Sequence, residues 1–492
     1  MGLRQWLTVA VLLAAPAAAD AHSVVTYHNS NQRHGSYIIH GLTIAAAATM
    51  HLDTGFNATL QGNIYAQPLF WRPDGSTHGQ VIVATESNFV YALNETTGAI
   101  EWQTQLGPSV PRANLPCGNI DPVGVTGTPV IDPIGGVLYL NALTQTDNGP
   151  RHMVHALSLA DGSEKPGWPF DMEAGLTGMG LVYSSSYHGE RSALLFFKNN
   201  LYVNYGGNGG DCGTYHGTVV QLTPDTPTIV GAWQTRGLKG GIWAQGGIAG
   251  DGVSLFITTG NTHGATDWSD GEAIIRLVSG LAHSNRPKDF FTPSNWADLD
   301  SSDKDLGGTE ALPLDIPVAG QPKARRIIAF GKDGNAYLAD RHLLGGIGGQ
   351  LAIFPASTAA IRTAPAVYET DSTVMIAFTS GGNAQCPGKN ITMLNVAAGS
   401  TNPVSFAWCA AMNGGGAPIV TTTDGTANAI VWVVGAEGDN LLHGFNALNG
   451  QTVFDGTGTT MTGLHHFETI LATATRFYVA ADNTVYAFAF VP

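Results

Sequence analysis

The chain has 492 residues, 63 of them glycine, only 12% charged residues and a formal net charge of −15. That excess of negative charge disfavours nucleic acid and anionic membrane as partners, and says little about small neutral ligands. Length alone allows two or three domains, but short β-branched runs between glycine-rich turns, with no sustained helical periodicity, point to an all-β chain.

Residues 1–21 read as a secretory leader. Arg4 supplies the positive start, residues 7–15 an apolar core too short to span a bilayer, and Ala17 to Ala19 a small-residue end. The expectation is an exported protein, secreted or periplasmic in a bacterium. Residues 22–492 are expected to form one domain. The Asn57, Asn94 and Asn390 sequons are N-glycosylation acceptors if the source is eukaryotic. Residues 23–60 precede the first full repeat.

The organising stretch is residues 81–103. It reads strand, turn, strand, turn, strand, with Trp102 as an apolar anchor. One such meander cannot bury both of its faces, so it requires copies alongside. The strand at Tyr91 (VYAL) recurs around His155, Val220, Ile275, Tyr337, Thr392, His443 and Tyr486, at steps of 43 to 65 residues. Several copies are followed by a large outer residue: Trp102, Trp168, Trp233, Trp408 or Phe454. A four-stranded propeller blade takes roughly 40–50 residues. Eight copies therefore predict an eight-bladed antiparallel β-propeller around a central channel. The last copy ends after its third strand, and residues 49–60 are the expected donor of the missing outer strand.

Four cysteines in an exported chain predict two disulfides. The preferred pairs are Cys386–Cys409, on neighbouring strands of one blade, and Cys117–Cys212, on loops of adjacent blades.

Residues 27–37 (YHNSNQRHGSY), Tyr65-Ala-Gln-Pro-Leu, residues 90–102 (VYALNETTGAIEW) and residues 289–313 (DFFTPSNWADLDSSDKDLGGTEALP) carry a likeness. Together they resemble the quinoprotein dehydrogenase propellers with pyrroloquinoline quinone (PQQ) repeats. The resemblance implies an alcohol-dehydrogenase-like oxidoreductase with PQQ and Ca²⁺ as cofactors. The alcohol dehydrogenases of that family carry adjacent cysteines over the quinone, and no two cysteines are adjacent here.

Residues just before each innermost strand should line the channel mouth. Blade by blade they are Tyr65 and Gln67; Thr126 and Thr128; His188 and Arg191; Trp243 and Gln245; Asp303 and Asp305; Arg362 and Thr363; Asn413; and His466 and Glu468. Convergent polarity of this kind marks a ligand site. His188, Arg191, Asp303 and His466 are the candidate catalytic groups, with histidine as a base near neutral pH and arginine as a holder of anionic oxygen. The plain alternative for His188 and Arg191 is a pair that satisfies loop carbonyls at a blade junction. Trp243 in a glycine-flanked turn suits stacking on a flat ligand, or packing between blades. Trp243, Gln245, Gln67, Arg362 and Asn413 are the cofactor-binding candidates. Asp303 and Asp305, in a loop with Asp298 and Asp300, are candidate Ca²⁺ ligands, although the run lacks the spacing of an EF-hand loop.

Three functions fit this pattern. The first is an oxidoreductase acting on an alcohol or sugar in the central funnel. The second is a propeller lyase or hydrolase without a redox cofactor, and the third a binding or assembly scaffold. The expected partner is a small-molecule or carbohydrate ligand, bound by a monomer.

Overall fold

The computed structural model describes residues 22–492 except 74, 389, 400, 457 and 458, and of Ser279 the backbone alone. The expected leader therefore lies outside the described residues. Eight antiparallel sheets follow one another along the chain. Blade 1 comprises Leu69–Trp71, Gln80–Ala84, Phe89–Asn94 and Ile100–Gln105. Blade 2 begins at Val130–Asp132, blade 3 at Leu195–Phe197 and blade 4 at Ala249–Gly250. Blade 5 begins at Leu312–Val318, blade 6 at Ala366–Glu369, blade 7 at Ile419–Thr422 and blade 8 at Ile470–Ala472. The middle strands carry near-continuous apolar runs, such as Ile430–Val434, because both of their faces pack against neighbouring blades.

The ring closes as the incomplete last repeat requires. Blade 8 has three strands from the C-terminal region, and its outer strand comes from the N-terminal region. His51 pairs with Ala489 and Leu52 with Phe488, then Ala58 pairs with Val485 and Thr59 with Thr484. The Asp53 carboxylate accepts from Arg476 Nε at 2.8 Å and fastens the join.

The recurring tryptophans have a repeated task. Trp102 Nε1 donates to the Leu159 carbonyl of the next blade at 3.0 Å, and Trp408 Nε1 to that of Ala447 at 2.7 Å. Each ring lies on a glycine, Gly162 or Gly450, with φ of +72° in both. A side chain there would be strained in conformation and would collide with the indole.

Residues 24–38 cross the channel beneath the blades and touch all eight of them. Val24 exchanges backbone hydrogen bonds with Phe70 of blade 1, and Ile131 N of blade 2 donates to the Val25 carbonyl. Arg33 reaches the Leu194 carbonyl before blade 3 and that of Ile248 before blade 4, both at 3.0 Å. His34 bonds to the Pro313 carbonyl of blade 5, and Val367 N of blade 6 donates to the His34 carbonyl. Ser36–Ile38 adds a parallel strand to blade 7. His28 Nε2 meets Thr469 Oγ1, just before blade 8, at 3.1 Å. Small residues two positions before three inner strands, Ala193, Ala364 and Ala417, make room for Tyr27 on the axis. This segment is a plug across the channel.

Both expected disulfides form, with Cα separations of 6.0 Å for Cys117–Cys212 and 6.4 Å for Cys386–Cys409. These distances suit the bridge.

Candidate active site

The inner strands start at the end away from the plug, and there a cavity of about 680 Å³ opens. Its walls come from the segments that lead into the inner strands and from turns between second and third strands. Arg191, Trp243, Asp303, Asp305, Arg362 and His466 line it together. A narrower hollow of about 30 Å³ adjoins it, lined by Tyr65, Thr126, Arg191, Gln245, His466 and Phe467.

Three candidates are placed elsewhere. His188 is buried between blades rather than in the cavity. Its ring stacks on Tyr183 with centroids 4.1 Å apart, Nδ1 bonds to the Ser184 carbonyl at 2.9 Å, and Nε2 to that of His216 at 3.2 Å. Burial lowers its pKa to about 4, so it is neutral, but it faces no open space. This corrects its expected position, and the carbonyl-satisfying alternative describes its contacts. Gln67 lies deep on the axis and its Oε1 accepts from His28 N of the plug at 3.0 Å. Asn413 is exposed in a rim loop, tied to Asp439. Each departure has the same cause. Loops before the inner strands differ in length, so counting back from the strand drifts by a few residues.

The centre of the cavity is an ion-paired aromatic cluster. Lys332 Nζ lies 2.6 Å from Asp305 Oδ2 and 2.9 Å from Asp303 Oδ1, and stands 5.0 Å from the Trp243 ring centroid. Trp243 Nε1 donates to Asp305 Oδ2 at 3.0 Å, and Asn261 N to Asp305 Oδ1 at 3.1 Å. Asp305 is thus buried with both oxygens engaged. Burial raises its pKa and Lys332 opposes the rise. For Lys332 burial acts downward, but Asp305 and Asp303 outweigh it and the net shift is upward. Asp303 projects into the opening, and its Oδ2 has no hydrogen-bond partner among the described residues.

Around this cluster the cavity is rich in cations. Arg191, Lys239, Lys332 and Arg362 all line it, in a chain with 22 lysines and arginines. Arg191 and Arg362 make no ion pair among the described residues, and Lys239 Nζ donates only to the Asp211 backbone carbonyl. Burial lowers the Arg191 pKa, and Asp211 and Glu86 partly offset that. Cations left without carboxylate partners in a concave site are suited to an anionic ligand.

Lys332, Asn261, Lys239 and Phe467 are not singled out by the sequence. Lys332 sits in the Gly331–Asn335 turn between the second and third strands of blade 5, and such turns reach the same mouth as the inner-strand entries. Several cavity residues have left-handed backbones without being glycine: Asp211, Lys239, Asp303 and Phe467, the last with φ of +81°. Such strain gathers at functional sites, but nothing in a single sequence marks it at phenylalanine. Glu468 shares the Phe467 turn, yet it is buried away from the cavity with both carboxyl oxygens unpartnered.

The residues fit one implied cofactor better than the other. PQQ is flat and carries three carboxylates, which matches the Trp243 face and the unpaired guanidinium groups. Ca²⁺ prefers 6–8 oxygen ligands, and the side chains do not offer them. Asp303 and Asp305 share the Lys332 ammonium, and among the described residues no three His, Cys, Asp or Glu side chains converge to hold a metal. The Cys117–Cys212 bridge stands at the rim beside Asn119 and Gly210.

No family model and no curated protein matches the chain. Solved structures do match. Quinohemoprotein alcohol dehydrogenase ADHIIG from Pseudomonas putida HK5 aligns with TM-score 0.66 at 12% identity, covering 95% of this chain and 80% of that one. Quinohemoprotein alcohol dehydrogenase from Comamonas testosteroni aligns at 0.65 and 15% identity, with the same coverage. A europium-containing methanol dehydrogenase aligns at 0.62 and 15%, covering 93% and 89%. The chain has the fold of the eight-bladed quinoprotein dehydrogenases. At these identities the likeness is one of fold.

Proposed function

We propose that this protein is an exported quinoprotein-like oxidoreductase that oxidises an alcohol or a sugar hydroxyl in the open end of the channel. One observation carries the reading: Arg191, Lys332 and Arg362 share a single cavity with the Trp243 indole, a lining matched to a flat, multiply anionic quinone. Bound there, such a quinone would supply the two-electron acceptor. Trp243 would offer its face, and Arg191 and Arg362 would hold carboxylates. Asp305 fixes the indole N–H and the Lys332 ammonium together, so the stacking surface and the nearest cation are positioned before any ligand arrives. Asp303 Oδ2 is the free carboxylate oxygen at the opening and is the group to take a proton from a substrate hydroxyl. The two disulfides accord with an oxidising compartment.

The test is addition of PQQ to purified protein, with and without Ca²⁺, followed by absorption and tryptophan fluorescence. Binding is expected, with quenching lost in Trp243→Ala and affinity reduced about tenfold or more in Arg191→Ala, the scale of one charged hydrogen-bonded contact. Absence of binding under both conditions, or equal binding by both variants, would overturn the reading.

A further inference from the structure

The blade 4–5 corner of the plug face carries unpaired cations, against the net negative charge of the whole molecule. Exposed apolar side chains mark the tips of its turns. Val253, in the first turn of blade 4, is 70% exposed, and Leu343, in the last turn of blade 5, is 58% exposed. Ile347 follows in the same loop and is 54% exposed. These turns form one surface. Arg341 Nε pairs with Asp251 of the Val253 turn at 3.2 Å, and Leu344 N donates to the Lys288 carbonyl. The neighbouring His342 ring meets Arg325 Nη1 at 3.4 Å.

Three exposed cations on this surface, Arg286, Lys288 and Arg325, make no ion pair among the described residues. By contrast Arg276, Arg326 and Arg341 close by are all paired with aspartates. The unpaired cations therefore stand beside apolar tips that no part of the chain covers. The tips protrude and do not line a groove, so a bound peptide would find no trough. A surface into which they can sink suits them.

We infer that the blade 4–5 corner of the plug face docks on an anionic phospholipid surface. Val253 and Leu343 enter the headgroup boundary and Arg286, Lys288 and Arg325 meet the phosphates. The contact is peripheral: among the described residues no helix is long and apolar enough to cross a membrane. The net charge of −15 acts against it only at long range. At about 0.15 M salt the screening length is about 8 Å, so the local patch governs contact. Docked this way, the cavity at the other end of the channel faces away from the bilayer.

The experiment is flotation of the purified protein with vesicles at about 0.15 M salt, where screening confines the interaction to the patch. One set is phosphatidylcholine alone; the other is equal parts phosphatidylcholine and phosphatidylglycerol. Wild type is expected to float with the anionic set only. The triple variant Arg286→Glu, Lys288→Glu, Arg325→Glu should lose roughly a hundredfold in affinity, about fivefold per residue. The pair Val253→Ser, Leu343→Ser should also lose affinity, with unchanged thermal unfolding, while Ile134→Ser on distant blade 2 should not. No flotation of wild type with anionic vesicles, or equal flotation of wild type and both patch variants, would overturn the inference.

Discussion

Glu310 shows how a single buried group ties position to pH. It lies just before the first strand of blade 5, folded against Gly246 of blade 4, fully buried and with neither carboxyl oxygen in a hydrogen bond from another side chain. Burial raises its pKa to about 7. A raised acid favours the folded state most below its unfolded pKa, about 4.3 for glutamate, and the contribution is lost as pH rises toward 7. The loss over that window is roughly 4 kcal/mol. Glu310→Gln keeps the shape and removes the proton, so its stability relative to wild type should rise between pH 4.5 and pH 7.5 by up to that amount. Urea unfolding at the two pH values checks this, and an equal difference at both would mean that the carboxyl is not held neutral. Glu190 and Glu468 are raised by the same cause and lie in other blade junctions. None of these acids stood out as buried in the sequence. Glutamate in a pre-strand position reads as a channel group, whereas here its side chain turns sideways toward a neighbouring blade.

At the scale of elements, the repeat was plain and the plug was not. VYAL and its copies announce eight middle strands because each must be apolar on both faces, and the short eighth copy announces the strand exchange. Residues 24–38 have no such period. Their hydrogen bonds go to eight different blades, and only the assembled ring reveals that. Arg33 is the clearest case: it is fully buried with no carboxylate in contact, and its guanidinium is spent on the carbonyls of Ile248 and Leu194 and the hydroxyl of Thr26. A hydrogen bond to a charged group contributes about 1.5–3 kcal/mol. Arg33→Met should therefore lower stability by at least about 3 kcal/mol, through those bonds and the stranded carbonyls. Arg33→Lys should recover little, because one ammonium cannot reach two blades as a planar fork does. Denaturant unfolding measures both. A loss below about 1 kcal/mol for Arg33→Met would show that water replaces the side chain and that the plug is looser than its bonds suggest. The candidate site was legible to the same degree as its supports. Arg191, Trp243 and His466 precede inner strands and were found, whereas Lys332 comes from a turn between strands and was not.

For the whole molecule, the N-terminal segment does two things that pull in one direction. Residues 51–59 supply the outer strand of blade 8, and residues 24–38 hold the inner ends of all eight blades. A propeller without closure has two exposed ends in its ring of sheets, and each blade interface depends on the next. The largest apolar cluster spans this seam. It joins Leu42, Met50 and Phe56 of the N-terminal segment with Trp432, Phe477 and Tyr478 of blades 7 and 8, and Val81 and Leu93 of blade 1. Removal of residues 22–60 therefore exposes that cluster and the edge of blade 8 together. The expected result is loss of the cooperative thermal transition, with aggregation through the open strand. A milder change separates the two tasks. Asp53→Ala removes the Arg476 tie at the seam and the local Gly55 N–H bond, and should lower stability modestly, by about 1 kcal/mol, since the ion pair is part-exposed. Calorimetry distinguishes the outcomes. A deletion chain that still unfolds cooperatively near the wild-type temperature would mean that blades 1 to 8 close without the N-terminal strand, and that the seam is an ornament to a ring already stable.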